Sequence, residues 1–371
     1  MVISMKRLLC IISGMNSGGA ETFLMKLYRK LDRSKYQMDF CVNIKEDGFY
    51  DEEIEKMGGR IFYIPSKSED YKQFKQKLYE LIKKENYFYV LRITSNSMGF
   101  MDLKIAKDAG AKVCAVRSSN SNDAEGIKAK IANFIGKLLY SNSIDVKIAP
   151  SDLAAIYTFG RKSYSSGKVD ILHNALDLSV YKYCEDGRRK IRSEFDVSDE
   201  TILLGHIGRF SRQKNHKFLL NILSRMVKIN QNVKLLLVGE GELEEEIKYL
   251  VSKHCLNEHV IFSGIRDDVP DIFSAIDVLV FPSFYEGMPN TIIEAQAVGV
   301  PCVLSNSITK QANVSKRLQY IGLEESVEKW CEIIKKEYEH GRYSSKDQLI
   351  EAGYDIESAV QQFVKLIFGK D

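Results

Sequence analysis

Short runs of apolar residues alternate with amphipathic helical patterns along most of this chain. Apolar strands separated by helices predict β-α-β units and parallel sheets that are buried on both faces. In the first half of the chain we predict strands at 7–13, 38–42, 60–64, 89–93, 112–116, 146–149 and 169–172. In the second half we predict them at 202–207, 233–238, 260–262, 278–281 and 302–304.

The alternation is interrupted once, between His173 and Thr201. This segment is polar and has no predicted strand, so we interpret it as the connection between an N-terminal domain, 1–175, and a C-terminal domain, 176–355. A chain of 371 residues also fits two domains of typical size. We therefore predict an α/β fold of two Rossmann-like parallel-sheet domains facing across a cleft, where such sheets bind ligands. The final helix, 356–371, is expected to pack against a sheet, and the N-terminal domain is the candidate.

The composition narrows the class of protein. No apolar run approaches the roughly 20 residues that a membrane-spanning helix requires. The apolar stretch from Leu8 to Ile12 is shorter than the ~7–15 residues of a signal-peptide core, so we interpret it as a buried first strand. The seven cysteines are odd in number, scattered and free of any C-x-x-C pair. This pattern predicts reduced thiols in the cytoplasm and argues against a disulfide framework or a zinc site.

The two halves of the chain differ in charge. Residues 1–175 hold 28 Lys and Arg against 20 Asp and Glu, whereas the remainder holds 25 against 30. A basic half suggests that the N-terminal domain faces an anionic partner, such as a membrane surface or a phosphate-bearing substrate. Dispersed lysines that keep the surface soluble explain the same numbers equally well.

Three loops that follow predicted strands carry residues suited to chemistry. The first, GMNSGGAE at 14–21, places glycines before a helix start, where backbone amides favour phosphate. Its spacing does not match G-x-G-x-x-G, and a tight turn without a ligand explains it equally well. The second, GHIGRFSRQKNH at 205–216, presents Arg209, Arg212 and Lys214. These cations are suited to the oxygens of a diphosphate, although a solvated basic loop would have the same composition.

The third loop, FPSFYEGMPNTIIEAQAVGVP at 281–301, contains two carboxylates eight positions apart. We predict that Asn290 is the N-cap of a helix over 291–298. Glu286 then lies on the loop and Glu294 about one turn into the helix, beside the unpaired amides of the helix start. Such a surface matches a ligand that combines ribose, diphosphate and sugar. The alternative is a capped helix with two exposed glutamates, and we favour the ligand site because the segment is otherwise apolar and small.

The order of GGAE, GRFSRQK and FYEGMPNTIIEAQAVGVPCV, with its E-x7-E spacing, resembles the GT-B fold retaining glycosyltransferases of group 4. The similarity is greatest to members that build bacterial capsule or exopolysaccharide, and it runs from residue 11 to about residue 323. It implies transfer of a sugar from a UDP- or GDP-sugar, with retention, to a growing glycan acceptor that is lipid-linked. The enzyme would be cytoplasmic, at the inner face of the cell membrane. We expect no metal, since there is no D-x-D motif, and no cofactor or nucleic-acid partner.

The resemblance also assigns roles to residues. Arg209 and Lys214 would bind the donor diphosphate and neutralise the leaving nucleotide. Glu286 would bind hydroxyls of the transferred sugar, and Glu294 would accept hydrogen bonds from the ribose. The other nucleotide-sugar-binding positions that it implies are Gly18, Gly19, Gly208, Ile265, Gly287, Met288, Pro289 and Asn290.

The chain departs from this family on the acceptor side. Many relatives carry a histidine in the first domain, whereas all six histidines of this chain lie at or after His173. Where the polysaccharide members often have His-Ser-His-Asn, residues 117–120 are Arg-Ser-Ser-Asn, so Arg117 and Asn120 are the candidate acceptor residues. Arg117 would hold an anionic acceptor or be a structural hydrogen-bond donor. Two other functions stay open: a nucleotide-sugar epimerase of the same fold, and a catalytically silent nucleotide-binding partner.

The helix predicted over 127–139 has two chemically different faces. Its apolar residues, Ile127, Ile131, Phe134, Ile135 and Leu138, lie opposite Lys128, Lys130 and Lys137. A helix that covers a sheet has this pattern, and we favour that interpretation over a peripheral membrane contact, which has the same pattern. We also interpret His173 and His206 as structural residues.

Overall fold

The computed structural model describes residues 5–16, 18–44, 48–119 and 127–369, without the side chains of 127–130 and 132. Contacts divide the chain into two compact units. The first unit is Met1–Ala175 with Gly353–Asp371, and the second is Leu176–Ala352. Each unit contains a parallel sheet with helices, so the predicted α/β fold with two Rossmann-like sheets is confirmed.

In the described residues the first unit has a seven-stranded sheet with the order β3-β2-β1-β4-β5-β6-β7. Its strands are β1 Lys6–Ile11, β2 Tyr36–Val42, β3 Ile61–Tyr63, β4 Tyr89–Thr94, β5 Val113–Ser118, β6 Val146–Ala149 and β7 Asp170–Ile171. Its helices are α1 Gly19–Lys30, α2 Asp51–Lys56, α3 Tyr71–Lys84, α4 Phe100–Asp108, α5 Ile127–Tyr140, α6 Asp152–Phe159, α7 Arg161–Ser165 and α15 Ile356–Phe368. Alternate residues of β1 belong to two separate apolar clusters, because helices cover both faces of the sheet.

The C-terminal helix α15 packs within the first unit. Its Phe363 and Ile367 are fully buried in the same apolar cluster as residues of β1 and α1. At its surface, Glu357 pairs with Lys30 at 3.1 Å. The amide of Gln362 donates to the Ile171 carbonyl at 3.0 Å. The end of the chain therefore returns to the sheet with which the chain begins.

The second unit has a six-stranded sheet in the described residues, with the order β10-β9-β8-β11-β12-β13. Its strands are β8 Ile202–Ile207, β9 Val233–Val238, β10 Val260–Phe262, β11 Val278–Phe281, β12 Cys302–Ser305 and β13 Gln319–Ile321. Its helices are α8 Glu185–Glu194, α9 His216–Ile229, α10 Glu244–Lys253, α11 Val269–Ala275, α12 Asn290–Val298, α13 Val327–His340 and α14 Lys346–Glu351. Two apolar clusters again lie on opposite faces of the sheet.

The segment between His173 and Thr201 is more than a connection. It contains α8, whose Arg192 is 3% exposed and donates to the Ala275 carbonyl at 3.0 Å. The helix is thereby fixed to the end of α11. The sequence pattern also missed β13, a strand of three residues at the edge of the second sheet.

The favoured interpretation of the helix over 127–139 is wrong. Of the five apolar residues predicted to cover a sheet, four are exposed in α5: Ile131 54%, Phe134 66%, Ile135 41% and Leu138 71%. The side chain of Ile127 lies outside the described residues. The neighbouring Leu139 is also 60% exposed. The helix packs instead through Asn133, which accepts a hydrogen bond from the Ser97 amide at 2.8 Å, and through Gly136. A Cβ at Gly136 would lie 2.5 Å from the Ser97 carbonyl oxygen. In the described part of the chain, no helix has both the length and the apolarity to cross a membrane.

Candidate functional site

The order of the second sheet reverses between β8 and β11, which are neighbours in the sheet. Chain segments that leave adjacent parallel strands at such a point open a crevice at the carboxyl edge, where α/β sheets bind ligands. Here the two segments are 208–215 after β8, the β8 loop, and 282–289 after β11, the β11 loop. The β8 loop contains most of the second sequence motif, and the β11 loop contains the first part of the third.

Hydrogen bonds fix the two loops to each other. The Gln213 amide group donates to the Tyr285 carbonyl at 2.9 Å, and the Phe284 backbone amide donates to the Gln213 carbonyl at 2.9 Å. The Asn215 side chain donates to the Pro282 carbonyl at 3.1 Å from a left-handed backbone with φ of 57°. The loops therefore form one layer in which side chains have defined positions.

Lys214 and Glu286 form an ion pair in this layer. The Lys214 Nζ lies 2.8 Å from Glu286 Oε1, and the two side chains are only 14% and 9% exposed. The ammonium also lies 4.5 Å from the centroid of the Phe281 ring. A Cβ at Gly208 would lie 3.0 Å from Cε of Lys214, so the glycine leaves room for the lysine stem. The structure thus brings together three of the predicted donor-site residues.

Two histidines lie beneath the β8 loop and carry no charge at neutral pH. His206 is fully buried, and its Nδ1 is bonded to the Val280 carbonyl at 2.9 Å. Its ring lies 4.8 Å from that of His216. Burial lowers the pKa of His206 well below its usual value, and burial with the nearby Lys214 charge lowers that of His216 to about 4. Both rings are structural, as predicted for His206, so the positive charge of the layer comes from its lysine and arginine side chains.

Helix α12 begins one residue earlier than predicted. Pro289 is the N-cap, with an extended backbone, and Asn290 is the first helical residue rather than the cap. No side chain of the N-cap closes the helix start, and its first turn contains no acidic residue. The amide of Ile292 bonds the Pro289 carbonyl at 3.1 Å. The partial positive charge of this helix start, four residues after Glu286, is therefore not neutralised by its own first turn.

Glu294 has a partner that sequence reasoning missed. Tyr181 hydrogen-bonds the Glu294 carboxylate, and burial together with that negative charge raises the pKa of the tyrosine. Tyr181 lies in the segment interpreted as a connection, and no pattern in the sequence links it to the helix that carries Glu294. Its contact fixes the position of a carboxylate on the second turn of α12.

Two other predicted residues are open to solvent. Arg209 is exposed, with its Nε 3.7 Å from Glu242 Oε2, and Ile265 on the loop after β10 is 74% exposed. Sequence reasoning also missed Gly239, whose φ of 128° is disfavoured for any side chain and whose Cβ would lie 2.5 Å from the Gly208 carbonyl oxygen. The Gly-Glu-Gly-Glu run directly after β9 was the available signal for this close approach.

The remaining predicted residues belong to the first unit. Gly18 is the N-cap of α1 and Gly19 its first residue. Arg117 is the fifth residue of β5 and is 2% exposed. Asn120 lies outside the described residues. His173, whose Nδ1 is bonded to the Pro150 carbonyl at 2.8 Å, has the structural role that was predicted.

Known proteins resemble the chain along nearly all of its length. A family model described as Glycosyl transferases group 1 matches residues 187–355. The chain is 32% identical over 365 residues to the putative glycosyltransferase EpsF of Bacillus subtilis (strain 168), covering 96% of this chain and 95% of that protein. It is 25% identical over 288 residues to a UDP-Gal:alpha-D-GlcNAc-diphosphoundecaprenol alpha-1,3-galactosyltransferase of Escherichia coli, covering 73% of this chain and 72% of that protein.

A solved structure shares the fold. Anabaena Alr3699/HepE, crystallised in complex with UDP and glucose, has a TM-score of 0.73 to this chain, with 17% sequence identity. The match covers 97% of this chain and 98% of that one. The two switch-point loops, the family model and a 32% identical relative of nearly full length together show that the chain belongs to the GT-B family of glycosyltransferases.

Proposed function

We propose that the chain transfers a sugar from a UDP- or GDP-sugar to a lipid-linked glycan acceptor, with retention of anomeric configuration and without a metal ion, during the assembly of a cell-surface polysaccharide. The observation that carries the proposal is the Lys214–Glu286 pair at the switch point of the second sheet, beside the start of α12. The named substrate of the Escherichia coli relative, a sugar on diphosphoundecaprenol, supports the class of acceptor.

The chemistry needs positive charge where the diphosphate leaves. As the bond between the anomeric carbon and the diphosphate oxygen breaks, negative charge grows on the diphosphate and positive charge on the sugar ring. Lys214 and the α12 start stabilise the charge on the diphosphate, and Arg209, an exposed side chain beside Glu242, adds a second cation. Glu286 is released from Lys214 and binds sugar hydroxyls. Glu294, oriented by Tyr181, accepts from the ribose.

Retention follows if the acceptor attacks from the face that the diphosphate leaves. The acceptor hydroxyl oxygen then bonds to the anomeric carbon, and its proton passes to the departing diphosphate oxygen. This route requires no histidine from the first unit, in agreement with the sequence of residues 117–120.

The test supplies a synthetic prenyl-diphosphate sugar as acceptor and a panel of UDP- and GDP-sugars as donors. Release of the nucleoside diphosphate measures the rate of transfer. Lys214→Ala and Glu286→Ala should each remove about 2–4 kcal/mol of transition-state stabilisation, about 30- to 900-fold in kcat/KM. Lys217→Ala is the matched control, since Lys217 is exposed and pairs with Glu246. Near-wild-type turnover in both site variants would overturn the proposal. Proton NMR of each donor alone, without acceptor, would reveal an epimerase.

The exposed residues of α5, Ile131, Phe134, Ile135, Leu138 and Leu139, form what we call the α5 apolar face, and we propose that it contacts a bilayer at the cytoplasmic surface. A lipid-linked acceptor keeps its diphosphate at that surface, and the basic first half of the chain favours anionic lipid. Phe134→Ser with Leu138→Ser should reduce sedimentation with phosphatidylglycerol vesicles about tenfold or more, because each side chain loses about 1–2 kcal/mol of burial. The control is Ile229→Ser in the second unit, which is 69% exposed. Equal sedimentation of all three proteins would contradict the proposal.

A further inference from the structure

Arg117 is a buried cation at the carboxyl edge of the first sheet. It is the fifth of the six residues of β5, and its side chain is among the largest that are fully buried. Ligands of parallel sheets bind at this edge. Long charged side chains are almost never fully buried without an ionic partner.

The contacts of Arg117 are to neutral groups. Its Nη2 donates to Asn174 Oδ1 at 2.7 Å, and its guanidinium carbon lies 3.4 Å from the centroid of the Phe23 ring on α1. The Nε atom is buried and has no hydrogen-bond partner. Among the residues that the structure describes, no carboxylate lies within 4.0 Å of the guanidinium.

Two other arginines with little exposed surface have a carboxylate partner, although their Nε atoms also lack a hydrogen-bond partner. Arg92 on the neighbouring β4 lies 2.8 Å from Asp102 and donates to the Ile11 carbonyl at 2.9 Å. Arg192 in the second unit pairs with Asp277 at 3.3 Å and donates to backbone carbonyls. Both of these arginines lie within 4.0 Å of a carboxylate, whereas Arg117 does not among the described residues.

Arg117 keeps its charge at neutral pH. Burial lowers the pKa of the guanidinium to about 9, which leaves it protonated at pH 7. An uncompensated buried charge is costly, so the fold retains a strained electrostatic arrangement at an edge where ligands bind. An anion that accepts from Nε and the remaining guanidinium protons would relieve it, and a phosphate oxygen pair matches the planar fork of arginine.

We propose that Arg117 is the cation of a phosphate-binding subsite in the first unit. The subsite takes a diphosphate group, either that of the nucleotide-sugar or that which joins the acceptor glycan to its lipid, and this identification of the anion rests on the proposed function. The subsite explains why residue 117 is an arginine whose neighbours Phe23 and Asn174 hold it without neutralising it.

Inorganic pyrophosphate is the probe, titrated calorimetrically into the full chain without nucleotide. We expect Arg117→Gln to weaken pyrophosphate binding about tenfold or more, as for lost hydrogen bonds to a charged group, and Arg117→Lys to restore part of it. Arg92→Gln is the matched control. It removes a buried arginine of the same sheet, so it should lower thermal stability yet leave pyrophosphate affinity unchanged.

A second arm identifies the source of the diphosphate. If Arg117→Gln weakens UDP binding about tenfold, the subsite takes the donor; if it raises only the KM of a prenyl-diphosphate sugar acceptor, the subsite takes the acceptor. Pyrophosphate and UDP affinities both unchanged in Arg117→Gln, with acceptor KM unchanged, would overturn the subsite. Repeating the pyrophosphate titration on a Lys214→Ala background separates the two proposals. If pyrophosphate affinity on that background still depends on Arg117 and the wild type does not bind UDP, the subsite is supported and the proposed function fails.

Discussion

Replacing Glu286 with Gln should separate two properties that usually change together, affinity for UDP and rate of sugar transfer. Lys214 donates to Glu286 at 2.8 Å in the absence of a ligand, and both side chains are mostly buried. A nucleoside diphosphate that binds at the β8 loop has to draw Lys214 away from that carboxylate. Gln keeps the shape of Glu and removes its charge, so the competition disappears.

The distance sets the size of the effect. Coulomb's law with an effective dielectric constant of about 20 gives about 6 kcal/mol of attraction at this separation of 2.8 Å, and desolvation of the two ions offsets most of it. Coupling energies between such neighbours are about 0.5–3 kcal/mol. If the coupling between Lys214 and Glu286 is about 1–2 kcal/mol, UDP should bind the Glu286→Gln variant about 5- to 30-fold more tightly. Transfer should nevertheless slow, since the carboxylate no longer binds the sugar hydroxyls.

Lys214→Met should do the opposite to affinity. It removes hydrogen bonds from a charged donor, so UDP should bind about 10- to 150-fold more weakly. Isothermal titration of UDP into both variants, and initial rates with the donor that the wild type uses, measure the two properties. Lys217→Met, on the first turn of α9, should match the wild type in both. Weaker UDP binding in Glu286→Gln would refute the idea that the pair competes with the diphosphate.

Three further changes test the surroundings of the site and the two sheets. Tyr181→Phe removes the hydroxyl that bonds Glu294, so the donor KM should rise about three- to tenfold with little change in kcat, and unchanged initial-rate kinetics would count against this role. The pKa of His216 is lowered to about 4 from 6.5, so its contribution to the free energy of unfolding is complete above pH 6.5 and is lost as the pH falls towards 4. In urea unfolding, the free energy of unfolding of His216→Phe should therefore fall less steeply than that of the wild type over this pH range. Asp39 is fully buried, and although burial opposes the shift, hydrogen bonds from two arginines lower its pKa below 3.8. Its contribution is therefore present above pH 3.8 and lost below it, and Asp39→Asn should cost about 3 kcal/mol at pH 7 and weaken the acid dependence, which denaturant titration at pH 7 and pH 3 would measure.

Most strands could be predicted because burial on both faces makes most of their residues apolar. In β1, consecutive residues enter two different cores, so no polar residue is tolerated between Leu8 and Ile11. The same reasoning did not predict β13, because this strand has only three residues, Gln319–Ile321, at a sheet edge, and only the last is buried. Helix α8 was not predicted because its sequence is polar. It is held instead by hydrogen bonds from its arginines to backbone carbonyls.

The neighbourhood of Lys214 and Glu286 could also be predicted, since both follow strands that meet at the switch point of the sheet. The bonds of Gln213 and Asn215 to carbonyls of the β11 loop could not, because such bonds depend on the path of the backbone rather than on residue type. The contact of Tyr181 with Glu294 could not be predicted for a similar reason. It is far from Glu294 in sequence, and a lone tyrosine in a polar segment has no periodic pattern.

Helices α5 and α9 show what an amphipathic pattern does and does not determine. In α9 the apolar stripe, with Leu219 and Leu223 fully buried, lies in the core as expected. In α5 the stripe faces outwards, because the small and polar side, Gly136 and Asn133, fits closely against Ser97. The pattern defines two faces but not which one the fold covers. A core helix has no reason to keep a glycine and an asparagine on its buried side and leave its aliphatic side in water, whereas a helix that meets a lipid surface has. The outward-facing apolar residues of α5 are thus the observation that most strongly favours a membrane contact for this helix.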